Sequence, residues 1–284
     1  MRPISMHPSP ISQTADTFFA SLAHEVAVMG ILNVTPDSFS GDGTGTAVDV
    51  ALAQALAMQK DGCAVLDIGG ESTRPGSVPV SAEEEAERVM PVMTALRNRL
   101  SLPLSIDTSK AVIARKALDC GAHIVNDVQG LQADPAMADV VAEAGAGVVI
   151  MHNRPKADPQ RDIMADIRDF FQTSLDIAER AGIAKHRIAL DPGIGFGKTF
   201  DQNLIILNRL TDLREHGKPL LIGLSRKRFI GAILDQPVDR RLNGTLAANL
   251  AACMAGASIL RVHDVAPHVE AVRMLAAIRS ESHG

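Results

Sequence analysis

Eight times along the chain an apolar run of about five residues ends abruptly at a polar or charged residue and gives way to a helical pattern. The stops fall at Asn33, Asp67, Asp107, Asn126, His152, Asp191, Ser225 and His263. Strands covered on both faces read as continuous apolar runs, and parallel strands that alternate with helices close most simply into a barrel. In such barrels the reacting groups sit at the C-terminal ends of the strands. The pattern therefore predicts an α/β chain folded as a single (β/α)8 TIM barrel, and it predicts which rim carries the chemistry.

The rest of the chain limits the partners. At 284 residues it suits one barrel, which typically needs roughly 250. A net charge of −5 and a pI near 6.0 leave no basic stripe for a nucleic-acid partner. No uninterrupted apolar stretch approaches the roughly 20 residues of a membrane helix, so no membrane partner is expected. Three cysteines, Cys63, Cys120 and Cys253, are odd in number and form no C-x-x-C pair. Free, buried thiols in a cytoplasmic protein are the expectation. Residues 1–26 carry several Pro, Ser and Thr but no contiguous apolar region after a basic start. They read as a short, partly ordered N-terminal arm rather than a secretory signal, with the barrel over 27–284. Within the arm, Phe18, Phe19 and Leu22 share a helical face suited to packing beneath a barrel.

Local signals place the helices. Ser81 followed by Glu84 is a capping box, and Pro91 inside the same pattern should kink that helix. Asp134-Pro135 reads as a helix start with Pro at the first helical position. The segment Thr245 to Ala255 is apolar on nearly every face, which predicts burial between layers or subunits and makes a homodimer the expected assembly.

Several motifs carry chemistry. Gly193-Ile194-Gly195-Phe196-Gly197-Lys198-Thr199 resembles a phosphate loop, but Pro192 stands where the Walker A pattern requires its first Gly. The glycines instead suit a loop that approaches a flat ligand closely. Asp107, Asn126 and Asp191 each end a strand. Alone, any one reads as a helix cap. Together on one rim they match a ring edge with adjacent N–H groups, because a carboxylate accepts two parallel hydrogen bonds and an amide both donates and accepts. Arg261 and His263 alternate about Val262 and so share a face. With Ser225-Arg226-Lys227-Arg228 they lie where barrels often hold phosphate, although Lys227 also fits a Schiff-base role. Asn33 and Asp37 offer hard oxygen atoms suited to Mg2+, and no H-x-x-x-H spacing supports zinc. Asp67 and His152 read as structural.

Seven blocks resemble the dihydropteroate synthase family, in order, from about residue 28 to 280. They are Ile31–Ser40, Asp67–Gly76, Ile106–Lys110, Asn126-Asp127, Leu190–Gly193, Ser225–Lys227 and Arg261–Asp264. The resemblance implies a transferase of folate biosynthesis and a sulfonamide target. Such an enzyme joins p-aminobenzoate to (7,8-dihydropterin-6-yl)methyl diphosphate and releases diphosphate. It implies that Asp107, Asn126, Met151, Asp191 and Lys227 hold the pterin, and that Asn33, Thr73, Arg261 and His263 hold the diphosphate, with Mg2+ as cofactor at Asn33. Phe39, Thr73, Arg74, Pro75, Phe196, Lys227 and Arg228 would border p-aminobenzoate, and Lys227, Arg261 and Asp107 would be catalytic. Two enzymatic rivals remain: a pterin-binding methyltransferase and a Lys227 aldolase. A non-catalytic pterin-binding protein is the third.

Overall fold

The computed structural model describes residues 9–35, 44–71 and 79–281. Eight parallel strands close into a barrel in the order of the sequence, each paired with its neighbours and the last with the first. The strands are β1 (Ala27–Asn33), β2 (Val65–Gly69), β3 (Leu104–Asp107), β4 (Ile124–Asp127), β5 (Gly147–Met151), β6 (Ile188–Asp191), β7 (Leu220–Ile222) and β8 (Ala257–Val262). Nearly every strand residue is buried, as expected where side chains face either the barrel interior or a helical coat.

The helices are α1 (Pro10–Ser21), α2 (Thr44–Lys60), α3 (Ala82–Leu96), α4 (Ala111–Asp119), α5 (Met137–Ala144), α6 (Ile163–Ala181), α7 (Phe200–Asn208), α8 (Arg228–Leu234), α9 (Leu242–Met254) and α10 (Val265–Ser280). Their starts follow from local chemistry. Ser81 caps α3 through its side chain, accepting from the Glu84 amide, while the Glu84 carboxylate accepts from the Ser81 amide. Helix α3 runs on through Pro91 without a break. Asp134 does not open α5, which begins at Met137. Its carboxylate accepts instead from the Ala111 amide at the start of α4 and from Ala136, so one side chain serves two helix entries.

Side-chain alternation along the strands builds two cores. Leu66, Ile68, Ile106 and Val125 face outward to the helices. Met29, Val65, Ile124, Val149, Ala189, Leu221 and Ile259 face inward as the lower filling of the barrel. Phe18 and Phe19 of α1, with Leu22 just after it, join this inner layer and close its lower end. Each such buried apolar side chain contributes about 1.5–3 kcal/mol. Arg187 just before β6 ties α1 in place, pairing with Asp16 at 2.6 Å and donating to the Gly145 carbonyl. Cys63 and Cys253 are buried free thiols, whereas Cys120 is half-buried. The Cys63 thiol donates to the Val65 carbonyl and burial pushes its pKa up to about 11, so it is inert.

Candidate active site

One turn above the apolar filling, the same alternation presents polar groups inward. In register across the sheet stand Asn33 and Gly69, then Gly69 and Asp107, then Asp107 and Asn126, while Met151 pairs with Asp191. Asp67 sits one inward position below Gly69. Its Oδ2 accepts from Arg261 Nε at 2.6 Å and from Asn126 Nδ2 at 3.0 Å, and the residue is wholly buried. Asp67 therefore orients two neighbours on the rim, a role its isolated position in sequence does not reveal. Arg261 Nη2 donates to Asp107 Oδ2 at 2.6 Å, so one guanidinium bridges two carboxylates.

The charges in this cluster do not balance. One arginine faces two buried carboxylates, and among the described residues neither Asp67 Oδ1 nor Asp107 Oδ1 has a hydrogen-bond partner. Burial, offset by Arg261 and reinforced by Asp67, pushes the Asp107 carboxyl up to about 7. Arg261 is held more firmly cationic, since the attraction of Asp67 and Asp107 outweighs its desolvation. The arrangement leaves a carboxylate oxygen on each aspartate unspent beside a fixed cation.

On the opposite side, Asp191 Oδ1 accepts from the Gly193 amide at 2.7 Å, and burial raises the Asp191 carboxyl above its usual range. Lys227 points into the same space. Its amine donates to the Ile194 carbonyl and lies 4.8 Å from the centre of the Phe196 ring. Burial lowers its pKa to about 8 against the opposing pull of Asp191. His263 Nδ1 lies 2.9 Å from Ser225 Oγ, which joins the ends of β7 and β8. The loop carrying Lys227 is braced by Arg226, which adopts the left-handed conformation at φ +57° and grips Asp264 with both guanidinium arms at 3.0 and 2.5 Å. A non-glycine residue held there stores strain that the Asp264 pair offsets.

The rim thus gathers Asp107, Asn126, Met151, Asp191, Phe196, Lys227, Arg261 and His263 with Asn33 at the end of β1. Arg228 is exposed at the first position of α8. Phe39, Thr73, Arg74 and Pro75 lie outside the described residues. A cavity of about 150 Å³ opens beside this cluster, lined by Glu71, Asp107, Thr108, Gln129, Asn153 and Phe196 among others. A larger groove between the starts of α6 and α7 contains no strand-end residue and stands apart from the chemistry.

Within the protein, two glycines of the glycine-rich loop make close approaches to backbone. A Cβ on Gly193 would lie 1.9 Å from the His152 carbonyl oxygen, and one on Gly197 would lie 2.0 Å from that of Arg154. Both glycines have positive φ. Their bareness lets the loop lie flat against the segment after β5. His152 is likewise more than filler, since its Nε2 lies 3.0 Å from Asp166 Oδ2 and its Nδ1 lies 2.9 Å from Lys198 Nζ.

A sealed barrel whose open rim carries convergent acceptors for a heterocycle edge, with cations beside them, defines a pterin-binding barrel enzyme. Residues 29–263 match the family of pterin binding enzymes. The chain is 45% identical to the dihydropteroate synthase of Bacillus subtilis over 258 residues, covering 91% of this chain and 90% of that one. It is 44% identical to the dihydropteroate synthase of Escherichia coli K12 over 259 residues, covering 89% and 92%. Among solved structures, dihydropteroate synthase from Clostridium difficile with pteroic acid superposes with a TM-score of 0.88 at 46% identity, covering 90% of this chain and 97% of that one. The enzyme from Xanthomonas albilineans with 4-aminobenzoic acid gives 0.87 at 45% identity, covering 90% and 94%. The chain belongs to the dihydropteroate synthase family.

Proposed function

We propose that this chain condenses (7,8-dihydropterin-6-yl)methyl diphosphate with p-aminobenzoate to give 7,8-dihydropteroate and diphosphate, one step of folate biosynthesis. Relatives solved with pteroic acid, with 4-aminobenzoic acid and with 7,8-dihydropteroate support both substrates and the product. The observation that carries the reading is the rim itself: Asp107, Asn126 and Asp191 face one mouth with Lys227 and Arg261 between them.

In this reading the pterin edge lies against Asp191, Asn126 and Asp107, beside Met151. The carboxylates accept from ring N–H groups and Lys227 donates to a ring acceptor. Arg261, His263 and Asn33 face the diphosphate, with Thr73 assigned from sequence. The methylene C–O bond breaks with its electron pair leaving on diphosphate, and the electron-rich dihydropterin disperses the positive charge left on carbon. The lone pair of the neutral arylamine then forms the new C–N bond, and the nitrogen loses its proton to solvent. Fixed cations near the departing oxygen act on charge that develops only in the transition state. No activated nucleophile is required.

Mg2+ fits this chemistry. Among the described residues no cluster of His, Cys, Asp or Glu is arranged to hold a metal alone. Asn33, at the end of β1, would supply a hard oxygen ligand for the ion. When bound, the ion would neutralise diphosphate charge.

The p-aminobenzoate half is assigned to Phe196, Lys227 and Arg228, with Phe39, Arg74 and Pro75 completing it. A sulfonamide, which resembles that substrate in shape, would compete there, as a Yersinia pestis relative solved with a sulfonamide drug suggests by analogy. A homodimer is supported by an apolar outer face on α9 and α10, where Met254, Met274 and Ile278 are each more than 60% exposed. No helix among the described residues is long and apolar enough to cross a membrane, and a cytoplasmic location is the matching proposal.

Product formation from the two substrates with Mg2+ tests the assignment. Absence of turnover with pterin still bound would overturn it in favour of a binding protein, and borohydride trapping of a carbonyl substrate on Lys227 would favour the aldolase.

A further inference from the structure

The loop Pro192–Lys198 is held between two neighbours. On one side Gly193 and Gly197 press against the carbonyls of His152 and Arg154. On the other, Gly195 and Phe196 meet the Lys227 side chain, and a Cβ on Gly195 would touch Lys227 Cδ at 3.4 Å. The last residue of this loop, Lys198, is only 9% exposed. It turns back beneath the loop and its amine reaches three acceptors: His152 Nδ1 at 2.9 Å, the Phe196 carbonyl at 2.9 Å and the His152 carbonyl at 3.4 Å. Burial lowers the Lys198 pKa to about 7 against the pull of Asp191, and in the protonated form its three N–H groups match these three acceptors.

The chain of contacts continues outward. His152 is fully buried, and its Nε2 faces an Asp166 carboxylate that also takes both arms of Arg154 and one of Arg161. Those cations hold the Asp166 carboxyl down to about 2, so it stays an acceptor. Asp166 therefore fixes the imidazole with its proton on Nε2, leaving the Nδ1 lone pair for Lys198. Burial, with Lys198 as the next contributor, drives the His152 pKa down to about 3, which keeps that tautomer neutral across ordinary pH.

We propose that Lys198 is a positioning residue for the arylamine half of the site. Held by His152 and Asp166, it fixes the Phe196 carbonyl and thereby sets the Phe196 ring over the Lys227 amine. Among the described residues the Lys198 amine hydrogen-bonds only His152 and Phe196, while the Asp191 charge also acts on it. The proposal rests on the synthase reading for the identity of the second substrate.

The test is steady-state kinetics on Lys198→Met, which keeps the unbranched stem, one atom shorter, and removes its donors. We expect the KM for p-aminobenzoate to rise about tenfold, a loss of the order of one charge-assisted hydrogen bond. The dissociation constant for the pterin diphosphate should rise less than the p-aminobenzoate KM, since Asp107 and Asn126 are anchored on Arg261 and Asp67, although Asp191 is tied to this loop through the Gly193 amide. Combining Lys198→Met with Phe196→Leu should add little to the effect of Phe196→Leu alone, because both act on the same ring. Additive effects, an unchanged p-aminobenzoate KM, or an equal loss for both substrates would each overturn the proposal. If Lys198→Met does not yield folded protein, Lys198→Gln replaces it. Its amide keeps an N–H donor on a shorter side chain, so a rise in KM supports the proposal and none overturns it. Turnover by the unaltered chain in the same assay separates the two readings: without it the synthase assignment fails, and with it a null result counts against Lys198 alone.

Discussion

Replacing Asp191 with Asn probes the rim with the smallest change of shape. In the structure one carboxylate oxygen already accepts from the Gly193 amide at 2.7 Å, and the residue is 6% exposed. Asn can keep that bond through its own oxygen. The second oxygen, the one left for a pterin N–H, becomes an NH2 group that donates where acceptance is needed. The loss is therefore one charge-assisted hydrogen bond, about 1.5–3 kcal/mol, or roughly tenfold to 150-fold in pterin dissociation constant. A second consequence is electrostatic. Asp191 is the group that opposes desolvation at Lys227, whose pKa stands at about 8. Without that charge the Lys227 pKa falls further, and the alkaline limb of kcat/KM should move to lower pH. Titration calorimetry with the pterin diphosphate reads the first effect and a pH–rate profile the second, with circular dichroism to confirm the fold. Unchanged pterin affinity in a folded variant would refute the assignment of this carboxylate.

In the unaltered enzyme, kcat/KM should decline above about pH 8 as Lys227 loses its proton, and Lys227→Arg should remove that decline even if it lowers the rate; a flat profile would show that the lysine charge is not used. Stability should fall as pH drops from about 6.5 toward 3, because over that window the unfolded chain binds a proton on His152 that the folded chain refuses; urea midpoints against pH measure this, and His152→Gln should flatten part of the slope. Asp264→Asn, which weakens the grip on strained Arg226, should change stability by less than about 1 kcal/mol because the pair is partly exposed, yet reduce kcat/KM several-fold; equal effects on both would make the brace purely structural. Chelation of Mg2+ should abolish turnover while leaving binding of the pterin ring without its diphosphate intact, as followed by fluorescence. Met274→Glu combined with Ile278→Glu should give a monomer by sedimentation, and a persistent dimer would place the interface elsewhere.

Much of this architecture is legible in the sequence because buried strands have a simple signature. Seven of the eight runs end at or within two residues of their polar stop, β7 ends three before Ser225, and the parity of β8 turns Arg261 inward to Asp67 and Asp107. Helix starts were harder. Asp134 carries the right chemistry for a cap, but it serves α4 across space, and no local pattern encodes a partner 23 residues away. The same limit hid the roles of Asp67, His152 and Lys198. An Asp inside an apolar run signals a buried charge, but Arg261, its partner, lies 194 residues distant and meets it only when the barrel closes. Lys198 sat in a motif that invited a phosphate reading, and its real acceptors belong to the loop after β5. Glycine spacing was visible; what the glycines approach was not.

The seal at the lower end has a consequence for the order of folding. Helix α1 is made long before the parts of the chain that form its dock. Asp16 pairs with residues 170 and 171 positions ahead, and the layer that receives Phe18 and Phe19 includes Ile259. At roughly 5–20 residues per second, about 240 further residues take roughly 12–50 seconds to synthesise. During that wait two phenylalanines have no core to enter. Such long-range closure is slow, which makes α1 the last helix to gain protection and the apolar arm a period of exposure for the nascent chain. Pulse-labelled hydrogen exchange on refolding would show this directly, and early protection of α1 amides would contradict it.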